Sequence, residues 1–404
     1  MPATTTRPRG PLPTLRNPRR TMRTLTAILA ALLLAPGAGR AQESADRPIE
    51  FPDVPGYLTL VVDLHLHTVF SDGSVWPDIR VAEAVLDGLD AIAVTDHLEY
   101  QPHRDDIPHP DRNRSHELAE RYADGTELMV IRGAEVTRDM PPGHSNAVFL
   151  EDVNPLNVDS AMDAFRAAGE QGAFVFWNHP MWERQVPSGI PSLTALHRQL
   201  IADGLLHGIE VVNMHSYSDE ALRIALDHDL TILGTSDIHG LVDWTFEVPE
   251  GGHRPVTLVF AEERTMASLR DALFAGRTVV WHDDLLIGRE DHLVPLLEAS
   301  ALVVGAGYGE ETSILNVEVA NRSDAPLTVR NVGDVTFHER ADVFMLPARD
   351  TTTLQVKLPE RVDRVTLELE VLNAVTAPAT HPTLRLVVDA RQPAGTLDTP
   401  GHAG

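Results

Sequence analysis

The 404 residues include no cysteine. That excludes disulfides, thiolate metal sites and cysteine nucleophiles, and it suits an oxidising compartment without requiring one. Lysine is almost missing as well, with Lys357 the single example. Positive charge is therefore carried by arginine, which stays protonated and can grip phosphate oxygens in bidentate fashion. Aromatic residues make up only 5%, and 59 acids against 33 bases give a formal charge of −26. So acidic a chain repels nucleic acid and anionic membranes at long range. It also lacks the basic stripe or aromatic platform that a nuclease would use. No segment approaches the roughly 18 consecutive apolar residues of a membrane span.

Residues 1–41 carry seven Arg and no acid, and lead into "TLTAILAALLLAPGAGRAQE". A basic stretch, an apolar run from Leu25 to Ala35 and the small residues Gly39 and Ala41 predict an export signal cut before Gln42. The expected location is periplasmic or secreted. Met22 offers an alternative start. Losing the seven Arg would take the charge from −26 to −33, so a phosphorylated substrate would need something cationic to dominate locally.

About 360 remaining residues suggest one large domain and a smaller one. From residue 50 to 290, apolar runs such as "AIAVTDH", "GAFVFWNHP" and "TILGTSDIHG" alternate with helix-like segments. That pattern predicts an α/β barrel or a doubly wound sheet. The barrel is favoured because reactive residues sit at the strand ends, which in barrels converge on one mouth. From 300 to 390, short runs alternate apolar and polar residues between turn-formers, the mark of an all-β sandwich-like domain. Residues 391–404 read as a disordered tail.

"VVDLHLHTVFSDG" (Val61 to Gly73) sets His65 and His67 on one side of an extended chain. His97, Glu135, His179, Asp237 and His239 each stand where an apolar strand gives way to a loop, and His144 needs a loop that folds back. With Asp72 these make nine imidazoles and carboxylates, the ligand types of Zn, Mn and Fe. Nine exceed what one four-coordinate ion can use, so the count suits two or three divalent ions. Such a cluster could hold a phosphate despite the acidic whole.

"DLHLHTVFSDG", "AIAVTDH", "GAEV", "GHSN", "NHP" and "TSDIH", in that order, resemble the PHP (polymerase and histidinol phosphatase) superfamily. The resemblance implies a distorted seven-stranded (β/α) barrel over about residues 57–285 and a two- or three-metal centre of Mn, Zn or Fe. It also implies that the nine residues are the ligands. At Asp72 some members carry His one position later. The stretch "TDHLEYQPHRDDIPHPDRNRSHELA", the export signal and the trailing β domain are similar to secreted phosphodiesterases of the organophosphate-diester (Sb-PDE) type.

The expected activity is hydrolysis of small organophosphate or phosphonate esters by a metal-bridging hydroxide, in an exported phosphodiesterase. His215 is the candidate proton donor to the leaving group, and Arg104 the candidate phosphate clamp. Tyr100, His103, Arg112 and Arg114, on the same loop, are candidate substrate contacts. Asp63 and Asp96, beside the ligands, are expected to orient imidazoles through their second ring nitrogen. The alternatives are a phosphomonoesterase of histidinol-phosphatase type and a non-catalytic binding protein stabilised by metal. The partners expected are a small phosphoester, with no nucleic acid and no membrane span; the oligomeric state is open.

Overall fold

The computed structural model describes residues 47–391. The expected signal peptide and nearly all of the expected tail lie outside the described residues. Strands β1 (Leu58–Leu66), β2 (Ala91–Val94), β3 (Met129–Val136), β4 (Ser145–Val148), β5 (Phe174–Trp177) and β6 (Gly208–Asn213) follow one another across a single sheet. Pairings β1–β2, β2–β3 and β5–β6 are parallel, while β4 runs antiparallel to both neighbours. Strand β7 (Ser216–Tyr217) closes a tight hairpin on β6, and β8 (Thr231–Thr235) pairs parallel with β6. On the other side of β1 come β9 (Val256–Ala261), β10 (Thr278–His282) and β11 (Leu285–Gly288), all antiparallel.

This sheet curls into a half-barrel. The residue string after β8 comes back to β1 through one bridge, Leu66 with Ile238, where the His67 N–H donates to the Ile238 carbonyl at 3.0 Å. No regular ladder joins β8 to β1 among the described residues. The distorted seven-stranded barrel implied by the resemblance is not confirmed: β1 to β6 and β8 follow the curl of a mixed sheet, but among the described residues only the Leu66–Ile238 bridge joins β8 to β1. The physical reason is the antiparallel set β9–β11, which takes the hydrogen-bonding edge of β1.

Helices α1 (Pro77–Leu86), α2 (Arg114–Ala123), α3 (Ala161–Glu170), α4 (Ala195–Ala202), α5 (Asp219–Asp227), α6 (Val242–Thr245), α7 (Met266–Phe274) and α8 (Glu290–Ser300) connect the strands. Their starts are written in the sequence. Pro77 opens α1, where its missing N–H is no loss. Ser160, Ser218 and Thr265 cap α3, α5 and α7 by accepting a backbone N–H of the first turn. With helices outside and the curl inside, β1 is buried from Leu60 onward, so its two histidines had to be placed in the interior. None of the described helices is long and apolar enough to cross a membrane.

The C-terminal part stacks two antiparallel four-stranded sheets. One holds β12 (Ala301–Tyr308), β13 (Ile314–Asn321), β15 (Thr336–Phe337) and β17 (Thr351–Lys357). The other holds β14 (Leu327–Asn331), β16 (Val343–Leu346), β18 (Arg364–Val371) and β20 (Thr383–Asp389). Alternate residues of β20 are buried and exposed, as a sheet with one wet face requires. Strand β19 (Ala374–Val375) leaves the sandwich to pair with β11, and Asn373 donates to the Pro326 carbonyl at 2.7 Å while its side-chain oxygen accepts the Thr328 N–H. The sandwich is stitched to the larger sheet by backbone as well as by a shared apolar core.

Candidate metal centre

The ends of β1, β2, β3, β5 and β8 bring the nine predicted residues into one cluster. Glu135, at the end of β3 and fully buried, is its hub. Its Oε2 lies 3.4 Å from His65 Nε2, 3.3 Å from His67 Nε2 and 2.9 Å from His97 Nδ1. Its Oε1 lies 2.8 Å from His144 Nδ1 and 3.3 Å from His179 Nε2. Asp237 Oδ1 stands 3.2 Å from His65 Nε2 and 3.0 Å from His67 Nε2. Asp72 Oδ1 faces His239 Nε2 at 3.2 Å and His97 Nε2 at 3.6 Å. His144 reaches in because β4 turns back, which is the fold-back its position in the sequence demanded.

Three groups of side chains offer ligand atoms within 4.8 Å of one another: His67, Asp72, His97 and His239; His65, His67 and Glu135; His97, Glu135 and His144. They overlap at His67, His97 and Glu135. Hydrogen bonding accounts for only part of this convergence. Asp72 Oδ1, Glu135 Oε2 and His179 Nδ1 are buried without a hydrogen-bond partner, although ring nitrogens crowd the first two. Buried polar atoms left this way cost about 1–3 kcal/mol each, and a cation among them removes that cost. The donor set is all imidazole and carboxylate, which suits divalent metals of the Zn, Mn and Fe kind.

The electrostatics agree. His97 is buried, which works against charging it, yet Glu135 and Asp72 lift it to about 10. Burial, together with the neighbouring His239 and His97, holds His67 down at about 4. Burial also opposes charge on Asp237 and Glu135, but the surrounding imidazoles push both well below the usual carboxylate range. The carboxylates carry their negative charge in place, and the proton they draw onto His97 is one that a bound cation would displace.

Comparison with solved structures decides the family. A two-domain protein from Bacteroides vulgatus, containing a predicted PHP-like metal-dependent phosphoesterase, is 38% identical. The match covers 84% of this chain and 98% of that one, with a TM-score of 0.79. The chain belongs to the PHP-like metal-dependent phosphoesterases. An Ig-like domain model (DUF5001) matches residues 303–387, in keeping with the sandwich. More distant are a candidate metal-dependent phosphoesterase from Bifidobacterium adolescentis (19% identity, 45% of this chain, 88% of that chain, TM-score 0.35) and an amidohydrolase from Chromobacterium violaceum with bound sulfate and no metal (17%, 44%, 87%, 0.34). No curated protein matches the chain.

Other expected residues of this phosphoesterase fall elsewhere. His215 sits in the two-residue turn between β6 and β7, exposed, with its ring against Phe246 at 5.1 Å, and it does not line the cavity in front of the cluster. The turn is the reason: Met214, at φ 51°, reverses the chain and sends His215 away. Arg104 is exposed and paired only with Asp105 at 3.9 Å. Arg114 is drawn into an ion pair with Glu117 on α2, Arg112 donates to the His109 carbonyl, and His103 does not line the cavity either. Of the loop residues named, Tyr100 alone reaches the cavity, set edge-on against His97.

Asp63 and Asp96 are buried beside the ligands but bond differently from expectation. Asp63 accepts the Ser236 N–H at 3.1 Å and its hydroxyl at 2.5 Å, and faces Arg254 at 3.4 Å. It ties β1 to the end of β8 and touches no imidazole nitrogen. A bulge in the β1–β2 pairing between Asp63 and Leu66 interrupts the regular alternation along this stretch. Asp96 accepts from Thr68 N, Thr68 Oγ1 and Ser71 Oγ. It reaches His67 only through Ser71, whose Oγ is 3.3 Å from Nδ1.

The carboxylate that does orient an imidazole is Glu210, on β6. The His65 Nδ1–H donates to Glu210 Oε1 at 2.8 Å, which leaves Nε2 free to face Glu135 and Asp237. Thr235 Oγ1 donates to the same oxygen at 2.6 Å, and the His179 N–H donates to Oε2 at 2.5 Å. In "GIEVVN" Glu210 interrupts the apolar run from Ile209 to Val212 of a buried strand, and that was the available signal. Glu210→Gln is expected to weaken metal binding about 10–100-fold, the usual cost of losing such a partner. Metal titration of the apoprotein checks this; an unchanged affinity would count against the orienting role.

Proposed function

We propose that the protein is an exported phosphodiesterase acting on small organophosphate or phosphonate esters, with two or three divalent ions of Mn, Zn or Fe held by the nine clustered residues. The observation that carries this reading is the overlap of three ligand groups at His67, His97 and Glu135. Overlap suits ions that share ligands, whereas structural zinc sites are closed and four-coordinate. Bound there, divalent ions would acidify a water and draw charge from phosphate oxygens.

The chain's own residues supply the rest. Glu210 and the Asp237 carbonyl fix the tautomers of His65 and His239 through their Nδ1–H groups. Asn178 donates to Glu135 Oε1 at 3.0 Å and to Asn146, which keeps the hub carboxylate in one rotamer. The cavity in front of the cluster has a volume of about 930 Å³, near the upper end for small-molecule sites. A cavity of that size favours an ester with a sizeable organic part over a bare phosphate. The overall charge of −26 argues against a nucleic acid partner, and the leader-like residues 1–41 support export.

The test compares bis(4-nitrophenyl) phosphate with 4-nitrophenyl phosphate on metal-loaded protein. The diester is expected to be preferred; a preference for the monoester would overturn the reading in favour of the histidinol-phosphatase type. A chelator should abolish hydrolysis while far-UV circular dichroism stays unchanged. A protein that keeps its metals yet hydrolyses neither ester would be the binding protein instead.

A further inference from the structure

The cavity is walled on one side by the candidate ligands and on the other by Tyr100, Met181, Trp182, Arg184 and Met214. Among the described residues lining it, Arg184 is the one arginine. Its neighbours in chemistry are committed elsewhere: Arg138 to Glu99, Arg254 to Asp87, Arg80 to Glu83. Arg184 is exposed, and among the described residues no ion pair or hydrogen bond holds it; its one contact of note is cationic, the guanidinium 5.9 Å from the centre of the Trp182 ring. In a chain with 59 acids to 33 bases, an exposed guanidinium left without an acidic partner among the described residues, at the mouth of a cavity, is free to receive an anionic ligand.

The turn that carries it is built directly onto the cluster. Trp182 N–H donates to the His179 carbonyl at 2.8 Å, and Gln185 and Val186 N–H donate to the Trp182 carbonyl. The Trp182 ring then meets the imidazoles of His179 and His144 edge-on, at 5.1 and 5.5 Å. Arg184 is therefore one indole removed from the candidate ligands. A phosphoryl group at the cluster would be served by the cations there, and Arg184 would meet whatever the phosphate is esterified to.

Resting on the phosphoesterase reading above, we propose that Trp182 and Arg184 form the recognition arm for the organic part of the substrate, and that this part carries a second anionic group. The indole flanks a flat or apolar spacer, and the guanidinium receives a carboxylate or second phosphate in bidentate fashion. Glu183 lines the same mouth, so selectivity comes from placement against Arg184 and not from net charge.

Two non-hydrolysable probes test this on metal-loaded protein: phenylphosphonate and 4-carboxyphenylphosphonate. By calorimetry the carboxylated probe is expected to bind about tenfold more tightly, the value of one charge-assisted contact. Arg184→Gln should erase that difference while leaving phenylphosphonate affinity within about twofold; Arg184→Lys should keep part of it. Binding should also change tryptophan emission in the native protein and lose that signal in Trp182→Phe. Equal affinity for the two probes, or equal losses for both in Arg184→Gln, would overturn the proposal even where the native protein hydrolyses diesters. Diester hydrolysis by the native protein, measured alongside, reports separately on the phosphoesterase reading.

Discussion

Glu135→Gln is expected to abolish phosphodiester hydrolysis and to lower the metal content of the purified protein. The carboxylate is the meeting point of five imidazoles, from His65, His67, His97, His144 and His179. Replacing one oxygen by an amide removes the negative charge that belongs to two of the three ligand groups at once. The loss should exceed the roughly 10–100-fold in affinity that follows removal of an outer partner such as Glu210. Elemental analysis of the variant beside the native protein is the direct readout, with turnover of bis(4-nitrophenyl) phosphate as the second. Fold integrity needs its own check, because Asn178 also leans on Glu135; its amide can still donate to the Gln oxygen, so the backbone should hold. A variant that retains its metals and more than about a tenth of the activity would show that Glu135 is not the hub.

How much of this was legible beforehand differs between the site and the scaffold. Most of the candidate ligands could be read because they end apolar runs, and strand ends converge whatever the closure of the sheet; Asp72 and His144 lie in loops and were legible from the motifs around them. Closure itself could not be read. Strands β9 to β11 look like any other apolar runs, and nothing in them announces that they pair antiparallel along β1 and leave a single bridge between β8 and β1. The backbone reversals themselves were hidden: the turn at Met214 sends His215 away, and His179 and Asp237, though legible as candidate ligands, sit at φ 28° and 46°, conformations costing about 1–3 kcal/mol each outside glycine. No propensity announces such positions, since the surrounding structure imposes them. Arg184 was passed over for a different reason. Nothing near it in the sequence marks an arginine as unpaired, because pairing is decided by residues far along the chain.

Arg80 shows the same dependence on distant residues, and its loss should have the largest effect on stability. On α1 and fully buried, it donates to the His67 carbonyl at 2.8 Å, to the Gly240 carbonyl at 2.7 Å and to that of Ile238 at 3.4 Å. It thereby joins the end of β1 to the loop bearing Asp237 and His239, where the sheet has only the Leu66–Ile238 bridge. Glu83 neutralises it at 2.5 Å and accepts the Val242 N–H with its other oxygen. Arg80→Met would leave a buried carboxylate without its partner and strip donors from these carbonyls. The expected cost is about 3–5 kcal/mol, read as a lower urea midpoint, together with reduced metal content. Because the unpaired Glu83 accounts for much of that cost, Arg80→Met with Glu83→Met should recover part of the stability. It should not recover the metals, since the carbonyl clamp stays absent. A single variant within about 1 kcal/mol of the native protein would mean that the bridge at Ile238 needs no such clamp.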